Sequence, residues 1–487
     1  MCEQLLLGHF ANMCAHGDVC NNMNGIGQMP LMGEFLQRGY GVTVFCPSSP
    51  KYKNALLQWG LGAVRVVYYE MPPSTERKSM MDSVLDTLWQ GGPLAKLSKP
   101  IFPTIVADYS KRARPLALVA DFFATSAIDA GDYLKVPTIA LFPNPLGMTS
   151  LVAPQLRGFL DVPHVWACWL GEAILARIFL WFRNQERSRR VLAYRLPPLT
   201  EQDLYPTLSM QRPILATTAL GFEYAFPQSP LLQFMGPSPP CNALTRAPQQ
   251  TDPELFAWLE QQEAVVYVAF GTQHHFTEAS VNALLEQLQC ISSSPQTQAL
   301  LGKRVSILWS LPTDQQALLH SPAQASAEQL NTANIRLESF VPQWDVLTSS
   351  RVVVFVSHCG ANSLYESLLN GIPIVCCPGK ADQPANAARV HSAQAGVVSR
   401  HGVHSVEAAL MDVFGAIDSY TERAGRIRDL FLCQGGPATG ADFVERIISC
   451  GVERLIPHTC YNERYSCSMW AFFLVGMTVS FLLLRDM

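Results

Sequence analysis

FVPQWDVLTSSRVVVFVSHCGANSLYESLLNGIPIVCCPGKADQ, residues 340–383, carries the pattern that decides the fold. Within it an apolar run, RVVVFVSH (351–358), ends at Val356 and Ser357 and delivers His358 and Gly360 into a tight turn. A helix is expected to begin near Asn362 and Ser363, and a second apolar run, IPIVCCPG (372–379), follows it. Strand, turn, helix and strand in that order are one unit of a parallel sheet covered by helices.

The same alternation extends in both directions. Upstream lie AVVYVAFG (264–271), VSILWSL (305–311) and IRLESFVP (335–342). Further back, LLLGHF (5–10) reads as a first strand, residues 30–38 as a helix and GVTVFCP (41–47) as a second strand, with PLALVADFF (115–123) and VPTIALFP (136–143) adding two more. Between the two series stands GPSPPCNALTRAPQQTDP (236–253). Proline removes amide donors and stiffens the chain, so this stretch reads as a linker. The expectation is an α/β protein with two doubly wound, Rossmann-like domains facing each other across a cleft: residues 1–235 and 254–457, joined by 236–253. In such sheets ligands bind beyond the carboxyl ends of the strands.

Composition agrees with two cores. A chain of 487 residues exceeds what one core supports, and 48% apolar against 15% charged residues excludes a disordered chain. With 35 basic and 39 acidic side chains, the net charge of −4 leaves no electrostatic footprint for nucleic acid. The 14 cysteines show no zinc-ligand spacing and are expected as reduced thiols. No Asn-x-Ser/Thr acceptor occurs, which weighs against a glycosylated, lumenal protein.

The two ends differ. The opening MCEQLLLGHFANMCAHG lacks the basic region and long apolar stretch of a signal peptide. Near the other end, MWAFFLVGMTVSFLLL (469–484) runs sixteen residues without a charge, bordered by Tyr465 and containing Trp470. It is read as a C-terminal apolar helix anchoring the protein in a membrane, with a buried core helix as the alternative. Arg454 and Arg464 upstream outweigh Arg485, balanced by Asp486, downstream. The domains are therefore expected on the cytosolic side of an endoplasmic-reticulum membrane.

The turn at 358–363 has its own chemistry. Amides at a helix start point outward and carry partial positive charge, which makes a ready diphosphate site. His358 adds a donor, Asn362 and Ser363 add polar groups, and Glu366, one helical turn on, is placed to accept two hydrogen bonds from a ribose diol. A dehydrogenase-type dinucleotide turn would need a GxGxxG directly after an early strand, and the chain has none.

At this point the residues resemble the signature box of the UDP-glycosyltransferases, the family of plant secondary-metabolite glucosyltransferases and animal glucuronosyltransferases. Every spacing of the plant-type box is met without a gap. The resemblance implies that Phe340 stacks on uracil, Gln343 contacts the nucleoside and His358 binds the diphosphate. It places Gly360, Asn362 and Ser363 at the helix start, Glu366 on the ribose, and Asp382 and Gln383 on sugar hydroxyls. Gly271 and Thr272, after AVVYVAF, match the family's strand-then-turn that faces the diphosphate, or are simply a strand end. Phe340 stands where Trp is usual, so it stacks with less area and the same geometry. Ala361 stands where plant members often carry a second Trp, which opens one wall on the acceptor side. The likeness runs from Asn24 to about Pro457, through RLPPLT (195–200) and residues 214–237. It implies the GT-B arrangement of two domains, a UDP-sugar as co-substrate, and no further cofactor or metal. No Asp-x-Asp pair closes a strand, in agreement with metal-independent chemistry.

Sugar transfer to a hydroxyl needs a base for the acceptor proton and a positive setting for the departing diphosphate. The family uses a histidine near the start of the first helix, oriented by an aspartate at the end of a later strand. ALVADFFATSA assigns the aspartate to Asp121, whose alternative role is to cap the next helix. Counting back from Gly39, the family's Gly-His pair falls on Met23 and Asn24, which cannot act as a base. His16 in AHGDV ranks first as replacement, then Asp18, then an enzyme with no local base; His9 is a further possibility. The apolar segment 165–182 is core, or frames an acceptor or touches the membrane.

The expected activity is inverting, metal-independent transfer of a hexose from a UDP-sugar to a hydroxyl of a small apolar acceptor such as a sterol, lipid, phenolic or xenobiotic. Glucose ranks first, because of Gln383, and glucuronate second. The rival reading is a nucleotide-sugar-binding protein impaired in catalysis.

Overall fold

The computed structural model describes residues 4–8, 28–48, 64–70, 100–122, 124–143, 145, 187, 190–191, 193–196, 212–223, 229–239, 252–271, 274–319, 334–379 and 382–455. The described strands form two sheets. The first contains β1 (Gln4–Gly8), β2 (Gly41–Pro47), β3 (Arg65–Tyr69), β4 (Ala117–Asp121), β5 (Thr138–Phe142), β6 (Ile214–Ala216) and β7 (Leu232–Phe234) in the order β3-β2-β1-β4-β5-β6-β7. The second contains β8 (Ala264–Ala269), β9 (Val305–Ser310), β10 (Ile335–Glu338), β11 (Val352–Ser357), β12 (Ile374–Cys376) and β13 (Gly396–Val398) in the order β10-β9-β8-β11-β12-β13. Every neighbouring pair in both sheets is parallel.

Both sheets are therefore doubly wound, as the alternation of apolar runs predicts. Each reverses direction between its first and fourth strands, at β1/β4 and at β8/β11, and that crevice is where such sheets take ligands. Strands covered on both faces must be apolar throughout, and β4, β5 and β8 are buried at every position. Sequence reading did not separate β6 and β7 from the approach to the linker. With three residues each, ILA and LQF, neither is long enough to show a period.

Helices close both faces of each sheet. On the first, α1 (Gln28–Gln37) packs on one side, and α2 (Ile101–Tyr109) and α3 (Thr125–Leu134) on the other. On the second, α4 (Glu278–Ser293) and α7 (Val406–Phe414) share a core on one face. The residues of α5 (Ala361–Leu369), α6 (Gln383–Ser392) and α8 (Ile417–Leu432) share another.

The last described long helix, α9 (Gly436–Cys450), returns to the first sheet, although reading along the chain assigns residues 254–457 to the second domain. Its Ala441, Phe443, Val444 and Ile447 lie in one core with Phe35, Val44 and Val119. Arg38, at the end of α1, ties it down through Asp442 at 2.6 Å and Glu445 at 3.0 Å. The returning chain passes beside the outgoing one: the Gly436 N–H donates to the Met235 carbonyl at 2.8 Å. Gly236 has φ +76°, and a Cβ there would lie 2.5 Å from the Phe431 carbonyl oxygen, so this crossing requires glycine. Residues 240–251 of the linker lie outside the described residues.

The apolar segment 469–484 also lies outside them. Among the described residues no helix is long and apolar enough to cross a membrane.

Candidate active site

The centre of the second sheet holds the turn that the sequence singles out. Ser357 of β11 is in register with Ala269 of β8, so the turns at 358–360 and 270–271 leave the sheet side by side. His358 lies between them, half-buried. A Cβ on Gly271 would stand 2.9 Å from its Cε1, and one on Gly360 2.6 Å from its Nε2. Both glycines are thus needed for the imidazole to occupy its place, and Gly271 also adopts φ +68°. Cys359 takes a left-handed φ of +60° and is buried. Its N–H donates to Ser357 Oγ at 3.2 Å, and its carbonyl accepts from Asn386 Nδ2 at 2.9 Å. Strain at a non-glycine residue in this region persists only where surrounding contacts hold it.

Helix α5 starts directly after this turn with Gly360 at its N-cap, a residue with no side chain of its own to cap the first amides. The Ala361 N–H instead meets Asp382 Oδ2 at 3.3 Å, and the same oxygen accepts from Asn386 Nδ2 at 2.7 Å. Asp382 is the N-cap of α6, so Asn386, one turn along that helix, locks Asp382 to the start of α5. Burial holds the Asp382 carboxyl above its ordinary range, opposed by Asn386. Gln383 begins α6, and its Oε1 accepts from the Gly379 N–H at 2.9 Å.

The ribose and base candidates converge on the buried side of α5. Glu366 is 1% exposed, and Gln343 Nε2 donates to its Oε2 at 2.8 Å and to Ser363 Oγ at 3.3 Å. Burial pushes the Glu366 carboxyl up to about 7, while the Gln343 hydrogen bond pulls the other way. Phe340, three residues before Gln343, is 52% exposed, an uncovered aromatic face beside this cluster in sequence. Asn362 is half-buried and Ser363 buried.

In the first sheet Asp121 ends β4, next to the switch point, and is buried. The helix that follows has Ala124 at its N-cap, so Asp121 does not hold that capping position. His16, Asp18, His9, Met23, Asn24 and Thr272 lie outside the described residues, as does segment 165–182. The described residues include no group of His, Cys, Asp and Glu placed to hold a metal ion.

Two residues that the sequence does not single out shape the site. Asn386 is one. Gln315 is the other: buried, it accepts from the Phe276 N–H and donates to the His274 carbonyl, both at 3.0 Å, and so clamps the chain that follows Gly271. The i, i+4 spacing of Asp382 and Asn386 on one helix is a signal for the first. Nothing in the sequence marks the second.

The profile described as "UDP-glucoronosyl and UDP-glucosyl transferase" matches residues 180–428, just over half of the chain. The chain belongs to this family. It is 27% identical over 300 residues to a UDP-glycosyltransferase of Talaromyces amestolkiae, covering 58% of this chain and 55% of the relative. It is 30% identical over 178 residues to anthocyanidin 3-O-glucosyltransferase 2 of Fragaria ananassa, covering 34% of this chain and 35% of that protein. The chain thus spans about half or less of the length of these curated relatives. Among solved structures, the glycotransferase of kitacinnamycin superposes with a TM-score of 0.63 at 18% identity, covering 94% of this chain and 100% of that one. A UDP-glucose: anthocyanidin 3-O-glucosyltransferase in complex with UDP gives 0.60 at 17% identity, covering 92% and 98%. At such identity the likeness speaks for the shared fold, two parallel doubly wound sheets in the GT-B arrangement of UDP-glycosyltransferases.

Proposed function

We propose that this member of the family is a UDP-glycosyltransferase that moves a hexose, glucose in the first place, onto a hydroxyl of a small apolar acceptor, with inversion and without a metal. One observation carries the reading: the buried Glu366 carboxylate, held by Gln343, which also donates to Ser363, stands on the helix whose start is flanked by His358. A ribose diol donates to that carboxylate, and a diphosphate accepts from His358 and the amides at the helix start. Asp382 and Gln383, at the head of α6, take the sugar, and Phe340 takes the uracil. The acceptor oxygen attacks the anomeric carbon from the face opposite UDP. Its proton passes to a base oriented by Asp121, for which His16 is the first choice, and the bond to UDP breaks as the helix start receives the charge. No cofactor beyond the UDP-sugar is part of this scheme.

Incubation with UDP-glucose and a panel of sterol, lipid, phenolic and xenobiotic acceptors tests it. Glycoside formation with stoichiometric UDP release is expected. Tight UDP binding with no transfer or hydrolysis favours the second reading, a nucleotide-sugar-binding protein, which Asn24 at the family's histidine position supports.

We further propose that segment 469–484 anchors the protein in the endoplasmic-reticulum membrane with its domains toward the cytosol, on the strength of its uncharged run and the flanking arginines. Protease added to intact microsomes should degrade the domains; their survival until detergent is added would place them in the lumen.

A further inference from the structure

Between the two sheets the chain leaving β6 enters the core of the second unit. The Thr217 N–H donates to the Phe142 carbonyl at the end of β5, at 3.1 Å. Phe142 in turn packs edge-on against Phe122, the residue after Asp121, with centroids 4.8 Å apart. A few residues on, Ala219 and Phe222 lie in one core with Tyr365, Ala387, Val390 and Phe431. Glu223 then meets Arg389 of α6, with Nη2 at 2.9 Å and Nε at 3.1 Å from its Oε2, and both side chains are 1% exposed. Thr218 Oγ1 donates to the other carboxylate oxygen at 2.7 Å, and Arg389 Nη1 donates to the Ala385 carbonyl at 3.2 Å.

A dry ion pair is a poor source of stability, since a well-packed apolar pair of the same volume does as well or better. Its distinctive property is geometric: desolvated charges with saturated hydrogen bonds tolerate little displacement. Arg389 is six residues from Gln383 on one rigid helix, roughly 9 Å along its axis. Whatever fixes Arg389 therefore fixes the head of α6, where Asp382 and Gln383 stand. Gln343, Ser363 and Glu366 sit on other elements.

We propose that Glu223 and Arg389 are a positioning pair that holds the sugar-binding head of α6 in register with the strand end carrying Asp121, and so acts on the sugar moiety of the donor and not on its nucleotide. This rests on the donor-site reading given under Proposed function. The test titrates UDP and UDP-glucose into the wild-type chain and into a Glu223→Gln/Arg389→Met double variant, which removes both charges and leaves no buried charge unpaired. UDP affinity is expected to stay at the wild-type value. UDP-glucose affinity and the transfer rate should fall on the order of ten- to a hundredfold, the scale of a small misplacement at a reacting centre. Arg389→Lys, which keeps the charge but loses the guanidinium fork, should fall between. Equal losses for UDP and UDP-glucose, or none for either, overturn the proposal. Should the double variant fail to fold, Arg389→Lys alone, which leaves no buried charge unpaired, carries the same comparison. A wild-type chain that binds neither ligand overturns the donor-site reading itself, and this inference with it.

Discussion

Gln343 and Glu366 stand 23 residues apart in the chain and 2.8 Å apart in the fold, joined by a hydrogen bond from the amide to the carboxylate. The contact unites the residue expected at the nucleoside with the one expected at the ribose. Burial nonetheless leaves this carboxylate in a setting that disfavours its charge, and that cost has measurable consequences.

Glu366 is held at about 7 against 4.5 for the free side chain, chiefly by burial. Between those values the folded chain keeps a proton that the unfolded chain has released. Stability should therefore be highest at the acid end of the window and fall as pH rises through it, by up to about 3 kcal/mol, levelling above pH 7. Glu366→Gln should abolish this slope and raise stability at pH 8. Denaturant unfolding at pH 5 and pH 8 measures both, and an unchanged slope in the variant would contradict the assignment.

Ligand binding should show the opposite dependence. An ionised Glu366 accepts both ribose hydroxyls, so UDP affinity should rise as pH increases toward 8. Glu366→Gln should lower it on the order of ten- to a hundredfold, the worth of a hydrogen bond to a charged group. Titration calorimetry at two pH values reads the effect.

His358→Ala should weaken UDP and UDP-glucose alike, on the order of ten- to a hundredfold, because it removes a contact to the shared diphosphate. Gly360→Ala should approach the same phenotype, since its Cβ would stand 2.6 Å from His358 Nε2 and expel the ring. An unchanged UDP affinity in a folded His358→Ala variant would remove His358 from the site.

Asp121→Asn should leave UDP binding intact and reduce transfer on the order of a hundred- to ten-thousandfold, the usual contribution of a positioned acid–base group. Equal loss of UDP affinity would make Asp121 a structural residue of β4.

Gln383, whose Oε1 accepts from the Gly379 amide, is the residue proposed to set donor choice. UDP-glucose should bind ahead of UDP-glucuronate. A clear preference for UDP-galactose or UDP-N-acetylglucosamine in the same titration would refute that ranking.

Much of this architecture was readable because parallel strands buried on both faces leave unbroken apolar runs, as at 264–269 and 352–357. The candidate donor residues could be placed for a different reason: Gln343, His358, Glu366 and Asp382 follow one another on consecutive elements of one short stretch, where spacing translates into position. Contacts between distant segments leave no such trace. Arg389 meets Glu223 across 166 residues, Gln315 clamps a loop 39 residues away, and α9 crosses back to a sheet built from the other end of the chain. Periodicity reports which face of an element is apolar and never which element will cover it. The three-residue strands β6 and β7 escaped because pairing, and not their own pattern, defines them.

Gln343 and Glu366, together with His358 at the start of the Glu366 helix, are proposed to bind the UDP part of a sugar donor for transfer. Titrating UDP-glucose and UDP into the full chain at pH 8, followed by product analysis with an apolar hydroxyl acceptor, tests this role most directly. Saturable binding of both is expected, with transfer of glucose to the hydroxyl and release of one UDP per glycoside. Failure of the folded chain to bind either ligand would contradict it.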